Sequence, residues 1–247
     1  KKKFIARKKA YHDITLASAS MTGLPANHKL FDVPLPGFHH IDTPHFYREA
    51  LSDENEDTFA DRLANNLRDL IIKEGDDTFS AMIAEPLIGA GGVIIPPKNY
   101  FKKIQAILDE FDIALIDDEV ITGFGRLGKS FASEYFDITP DLICLAKGIN
   151  SGTVPMGAVL VQDEIYNAFM NKDEKMIDLF HGYTYSAHPL ACAASLAALK
   201  LYQDEGLFER ASELSKYWED AIHSLKGIRN IIDIRNLGLI GAVELEP

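Results

Sequence analysis

The stretch DLICLAKGINSG, residues 141–152, sets a nearly continuous apolar run in front of a lysine and then relaxes into glycine and serine. Such a run, bounded by a glycine-containing loop, reads as a strand buried on both faces, the kind a parallel sheet contains. About 30 residues upstream, IALIDDEV (residues 113–120) repeats the pattern and ends in Asp117, Asp118 and Glu119. Further apolar runs begin at Phe4 (FIA), Phe79 (FSAMIAEP) and Gly157 (GAVLVQ). Stretches of helical period separate them. Phe59, Leu63, Leu67, Leu70 and Ile71 form one stripe, closed by Gly75 as a C-cap, and Tyr100, Ile104, Ile107, Leu108 and Phe111 form another. Strands alternating with helices predict an α/β fold: a mostly parallel sheet with helices on both faces.

Beyond Pro189 the chain reads as an Ala-rich helix through Tyr202, broken at Gly206. It resumes with Leu207, Ala211, Leu214, Trp218, Ile222 and Leu225 on one face, a core stripe. The segment IIDIRNLGLIGAVELEP (residues 231–247) alternates like two strands around a turn at residues 236–238. The expected organisation is a large domain over residues 1–205 and the beginning of a small α+β domain over 206–247. No internal repeat or low-complexity segment interrupts either part.

At 247 residues and 47% hydrophobic, the chain can bury a sizeable core. A net charge of -12 argues against nucleic acid as a partner, because phosphate-backbone binding rests on clustered lysine and arginine. The one basic cluster, Lys1, Lys2, Lys3, Arg7, Lys8 and Lys9, is interrupted by Phe4 and Ile5 and reads as a solvated edge. Cys144 and Cys192 are too few for a disulfide framework and fit a reducing, cytoplasmic compartment. Residues 179–199 lack Asp, Glu, Lys and Arg, yet His181, Tyr183, Thr184, Ser186, His188 and Pro189 divide the run. That pattern predicts a polar loop followed by a buried helix, not a membrane span.

GFGRLGKS, residues 123–130, satisfies both the P-loop and the dinucleotide glycine patterns. A phosphate cradle needs its glycines directly after a strand and a long helix directly behind them. Here Asp117, Asp118 and Glu119 intervene, and Pro140 restricts any following helix. A nucleotide hydrolase, with Asp163 as its magnesium ligand, is the weaker alternative; a tight loop needing glycine for close approach is preferred. His39, His40, Asp42 and His45 suggest a metal, but adjacent strand histidines face opposite ways and no HExxH or paired CxxC supports them, so no metal is expected. No GxSxG elbow is present to indicate a serine hydrolase.

The two apolar strands that end in ionisable groups carry more. In an open parallel sheet the carboxyl ends of the strands line the ligand crevice, so Asp118 and Lys147 are candidates to face one small molecule. Each alone has a plain explanation, a helix cap or a lysine reaching solvent. Together they suit a ligand that wants an amine at one edge and a carboxylate at the other. Pyridoxal phosphate is such a ligand: its aldehyde condenses with a lysine amine, and an ionic partner keeps its ring nitrogen protonated.

AEPLIGAGGVIIPP (84–97), IDDEVITGFGRLGKSF (116–131), PDLICLAKGINSGTVPMGAV (140–159) and HGYTYSAHPLACAASLAAL (181–199) closely resemble, in order and spacing, the class III pyridoxal-phosphate aminotransferases of fold type I. The resemblance covers nearly the whole chain and makes GFGRLGKS a loop near the active site. It implies that Lys147 is the Schiff-base lysine and proton shuttle, and that Asp118 is the partner of the ring nitrogen. Val120, two residues on and on the same side of a strand, would pack on one ring face. In AYHD (10–13), Tyr11 would stack on the other face with His12 supporting it, and Asp13 stands where the family has glycine. Thr184 would bind the cofactor phosphate from a neighbouring subunit, implying a homodimer or higher homo-oligomer. Glu85 resembles an acid beside the cofactor pocket.

Ornithine-type branches carry a glutamate in a GEAG segment, whereas this chain has Gly89, Ala90 and Gly91. That segment, with PHFYREA (44–50), is similar to the ω-amino acid or amine:pyruvate branch. The implied activity is transfer of an amino group from such a donor to pyruvate or another 2-oxo acid. Family members also carry an upstream Gly-Ser segment that cups the phosphate and a C-terminal domain that supplies a carboxylate-binding arginine. The expectation is therefore a chain truncated at both ends, with a catalytically inert fragment of the same fold as the non-enzymatic alternative.

Overall fold

The computed structural model describes residues 1–170 and 179–246. Its strands are β1 (Lys3–Arg7), β2 (Phe38–Ile41), β3 (Phe79–Ala84), β4 (Ala114–Asp118), β5 (Leu142–Leu145), β6 (Ala158–Val161), β7 (Ile231–Leu237) and β8 (Ile240–Leu245). The helices of the first half are α1 (Leu16–Met21), α2 (Pro25–His28), α3 (Phe46–Glu49), α4 (Glu56–Glu74) and α5 (Tyr100–Glu110). Those that follow are α6 (Ala132–Phe136), α7 (Asp163–Phe169), α8 (Pro189–Asp204) and α9 (Leu207–His223).

Six strands form one sheet in the order β2-β1-β3-β4-β5-β6, and β7 and β8 form a separate antiparallel pair. Every pairing in the large sheet is parallel except β5 with β6. A parallel return runs through a crossover of a dozen or more residues, usually with a helix; the segment between β5 and β6 is at that lower limit and carries no α-helix. Between Leu145 and Ala158 there is room for a single 3-10 turn, Lys147–Ile149, and β6 comes back the opposite way. The four-residue β2, FHHI, places His39 and His40 in a strand at one edge of the sheet.

The predicted stripes build the core. Phe59, Leu63, Leu67 and Ile71 of α4 and Tyr100, Ile104 and Leu108 of α5 pack with Ile5, Met82 and Leu115 of the central strands. Helix α4 starts where its sequence says it should. The Asn55 side chain accepts from the backbone N–H groups of Asp57 at 2.9 Å and Thr58 at 3.0 Å. The Thr58 hydroxyl in return accepts from the Asn55 N–H at 3.0 Å, and Gly75, at φ 102°, ends the helix. Helix α8 departs from expectation: Ala191, Ser195 and Ala198 are buried, but Leu190 and Leu196 are 62% and 70% exposed. Small residues face inward there, and the leucines do not join the core.

The glycines of GFGRLGKS serve close packing. A Cβ on Gly125 would lie 2.5 Å from Phe208 of α9, and one on Gly128 would lie 2.8 Å from the Ser212 backbone. The helix that follows, α6, spans five residues, so neither part of a phosphate cradle is formed. The histidine group of the sequence also divides. His39 Nε2 faces Glu74 at 3.7 Å, His40 Nε2 meets the Met21 carbonyl at 3.1 Å, and Asp42 pairs with Lys8 at 2.7 Å.

Replacing Asn55 by alanine removes an acceptor from two free N–H groups at the start of α4 and should cost about 1 kcal/mol of stability. Urea denaturation should show a lower midpoint with an unchanged slope, whereas Asn55→Asp should restore most of the loss.

Candidate active site

Parallel strands deliver their carboxyl ends to one edge, and the candidate residues follow from that. Glu85 comes directly after β3, Asp118 closes β4, and Lys147 stands two residues beyond β5. Register ties them laterally, with Ala84 opposite Asp117 and Asp118 opposite Cys144. Tyr11 and His12 arrive from the loop that leaves β1.

Asp118 is buried and bonded at both oxygens. His12 Nδ1 lies 2.7 Å from Oδ2 and is the donor, because an ionised carboxylate only accepts. The backbone N–H of Val120 donates to Oδ1 at 3.2 Å. Val120 thus lies in the turn after β4, where its N–H serves Asp118, and not within the strand as predicted. His12 is fixed in turn by donating its backbone N–H to the Thr22 hydroxyl at 2.8 Å, while its Nε2 is buried without a partner. An imidazole held this way orients the Asp118 carboxylate. Each Asp118 oxygen keeps a lone pair for a further donor, which suits a protonated ring nitrogen.

Glu85 is buried and accepts the Tyr11 N–H at 3.1 Å on one oxygen and the Gly89 N–H at 2.8 Å on the other. Burial pushes its carboxyl above the ordinary range, against the pull of the Gly89 N–H, His12, the Tyr11 N–H and Arg7. It fastens the loop after β1 to the loop after β3. Cys144 sits beside the acids, and its thiol is pushed up to about 12 by burial first and then by Asp118 and Asp117.

Lys147 is exposed, with φ 40°, at the start of its 3-10 turn. It borders a cavity of about 730 Å³ whose wall includes Phe124, Arg126, Tyr202, Phe208 and Trp218. Asp118, Glu85, Tyr11 and His12 do not line that cavity. Thr184 lies in an exposed turn, and no hydrogen bond among the described residues joins it to the others. Asp13 has a left-handed backbone at φ 84°, a conformation that favours glycine. The Thr22 hydroxyl was not anticipated, since nothing in a lone threonine 10 residues from its partner marks it.

Asp118 at the end of β4 and Lys147 just beyond the adjacent β5 lie at the carboxyl edge of an open parallel sheet, the edge where proteins of this architecture bind small ligands. The chain belongs to the class III aminotransferases: the profile of that family, Aminotransferase class-III, matches residues 1–247. A probable gamma-aminobutyrate transaminase 3, mitochondrial, from Oryza sativa subsp. indica is 50% identical over 244 residues, 99% of this chain and 48% of that protein. Gamma aminobutyrate transaminase 1, mitochondrial, from Solanum lycopersicum is likewise 50% identical, over 99% of this chain and 47% of its own length. The solved omega transaminase from Pseudomonas jessenii in complex with PMP superposes with TM-score 0.95 at 45% identity, over 98% of this chain and 54% of that one. The chain spans about half the length of the curated relatives it matches. Those relatives carry organellar names, so they lend no support to a cytoplasmic compartment; among the described residues no helix is long and apolar enough to cross a membrane.

The φ of Asp13 yields a direct test. Asp13→Gly should change stability by less than about 1 kcal/mol, whereas the β-branched Asp13→Val should cost about 2 kcal/mol, read as a drop in Tm.

Proposed function

We propose that this chain holds the cofactor of a transaminase that moves an amino group from an ω-amino acid or amine donor to pyruvate or another 2-oxo acid by a ping-pong route. The observation that carries the reading is Asp118, bonded to His12 at the end of β4, one strand away from the segment that ends in Lys147. Bound pyridoxal phosphate supplies an aldehyde to receive the amino group and a ring that withdraws electrons from the substrate carbon.

Lys147 would be the residue that holds the cofactor covalently, and its Nζ, when not so bonded, would carry a proton. Asp118 keeps a proton on the ring nitrogen, and His12 holds the carboxylate in place. Tyr11 and Val120 bound the ring faces. Glu85 fixes the loop that carries Tyr11. Thr184 reaches a phosphate in a neighbouring subunit, which makes a homodimer the working unit. Ala90, where ornithine-type enzymes have glutamate, and relatives named for gamma-aminobutyrate and omega transamination favour an ω-amino donor.

Borohydride reduction in the presence of pyridoxal phosphate, followed by peptide mass mapping, should give one stable adduct, on Lys147. Lys147→Ala should give none, and an adduct of normal stoichiometry in that variant would refute the assignment. Asp118→Asn should keep the adduct yet slow amine transfer from the donor by roughly 100-fold or more.

A further inference from the structure

His45 belongs to the histidine group of the sequence but has gone elsewhere. It sits just before α3, is 4% exposed, and neither of its ring nitrogens has a hydrogen-bond partner. Buried polar atoms are nearly always paired, so an imidazole with two idle nitrogens calls for an explanation. It points at two carboxylates of the hairpin, Asp233 on β7 and Glu244 on β8. One nitrogen of His45 and one oxygen from each acid lie within 4.8 Å of one another.

We propose that His45, Asp233 and Glu244 form a site for a borderline divalent cation of the Zn²⁺ type. One imidazole and two carboxylates are a donor set that such ions accept, with water completing the shell. Ligand bonds of about 2.0–2.2 Å set tetrahedral ligand atoms roughly 3.3 Å apart, so the acids need to swing inward by about 1.5 Å at most. The entry path exists, because the Asp233 and Glu244 side chains are 20% and 21% exposed while His45 forms the floor.

A competitor for the same oxygens is present in Arg235. Arg235 Nη1 donates to Asp233 and, at 2.6 Å, to Glu244, which is the position a cation would take between them. Arg235 is not lost when that position is taken. Its Nε and Nη2 donate to the Gly92 carbonyl at 3.0 and 2.8 Å, and Nε also reaches the Val93 carbonyl at 3.2 Å. Arg48 shares Glu244 through its Nε at 2.9 Å, and Lys9 adds positive potential near His45. The surrounding cations weaken the site and make it conditional: metal and Arg235 exclude each other from the same pair of oxygens. Occupancy would staple the β7–β8 hairpin to the segment that carries α3, independently of the pyridoxal-phosphate reading.

Calorimetric titration of the metal-free full chain with Zn²⁺ tests this, with Mg²⁺ as the mismatched control. Wild type should bind one Zn²⁺, and Asp233→Asn and His45→Gln should each weaken binding at least 10-fold. Arg235→Gln should tighten it about 10-fold by removing the competitor, an effect no adventitious surface site predicts. Co²⁺ in place of Zn²⁺ should give a visible absorption band that Asp233→Asn removes, a readout that survives if His45→Gln fails to fold. Binding unchanged in Asp233→Asn, or weakened in Arg235→Gln, would overturn the proposal.

Discussion

The contact between His12 Nδ1 and Asp118 Oδ2, 2.7 Å long and buried, joins two segments 106 residues apart and depends on the parallel sheet beneath it. Only when β1, β3, β4 and β5 run the same way do the loop after β1, the residue after β3, the last residue of β4 and the lysine after β5 emerge at one edge. Reversing any of them would carry its polar residue to the far end of the sheet. The antiparallel β6 is tolerated because it follows Lys147 and contributes none of these groups.

Backbone approach supplies the second constraint. The loop after β1 is seated against two glycines so closely that a Cβ on Gly23 would stand 2.1 Å from the Arg7 carbonyl oxygen, and one on Gly91 2.1 Å from that of Lys9. The Lys9 N–H donates to the Gly23 carbonyl at 2.8 Å, and the Gly23 N–H donates to the Ala10 carbonyl at the same length. The position of Tyr11 and His12 is therefore set by main chain against main chain, and Glu85 only completes it from the other side.

Elements with a strong period were legible from residues alone: α4, α5 and α9, and the strands β1, β3, β4 and β5. So were the positions of Asp118 at the end of β4 and Lys147 just past β5, because each closes an apolar run. What escaped was set by neighbours distant in sequence. The direction of β6 depends on the lack of a crossover helix before it, the exposure of Leu190 and Leu196 on which face of α8 meets α9 and the 3-10 turn, and the partner of His12 on a strand over 100 residues away. A period can say that a face is apolar; it does not say what lies opposite.

The run Asp117, Asp118, Glu119 shows how one strand end gives consecutive acids different tasks. Strand alternation turns Asp117 away from Asp118. Burial, then the neighbouring Glu119, push the Asp117 carboxyl well above its ordinary range, and one of its oxygens is unpartnered. Glu119, past the end of the strand, is bound by the Ser133 N–H at 2.7 Å and by the Thr122 hydroxyl, and so anchors the start of α6 and the turn after β4. Asp118 is left as the member of the three whose partners are an imidazole and its own turn, with lone pairs to spare. Three adjacent charges at one buried position would repel strongly; burial disfavours the charged form of the first, the Ser133 N–H ties the last to a helix, and the middle carboxylate is left to His12 and its own turn.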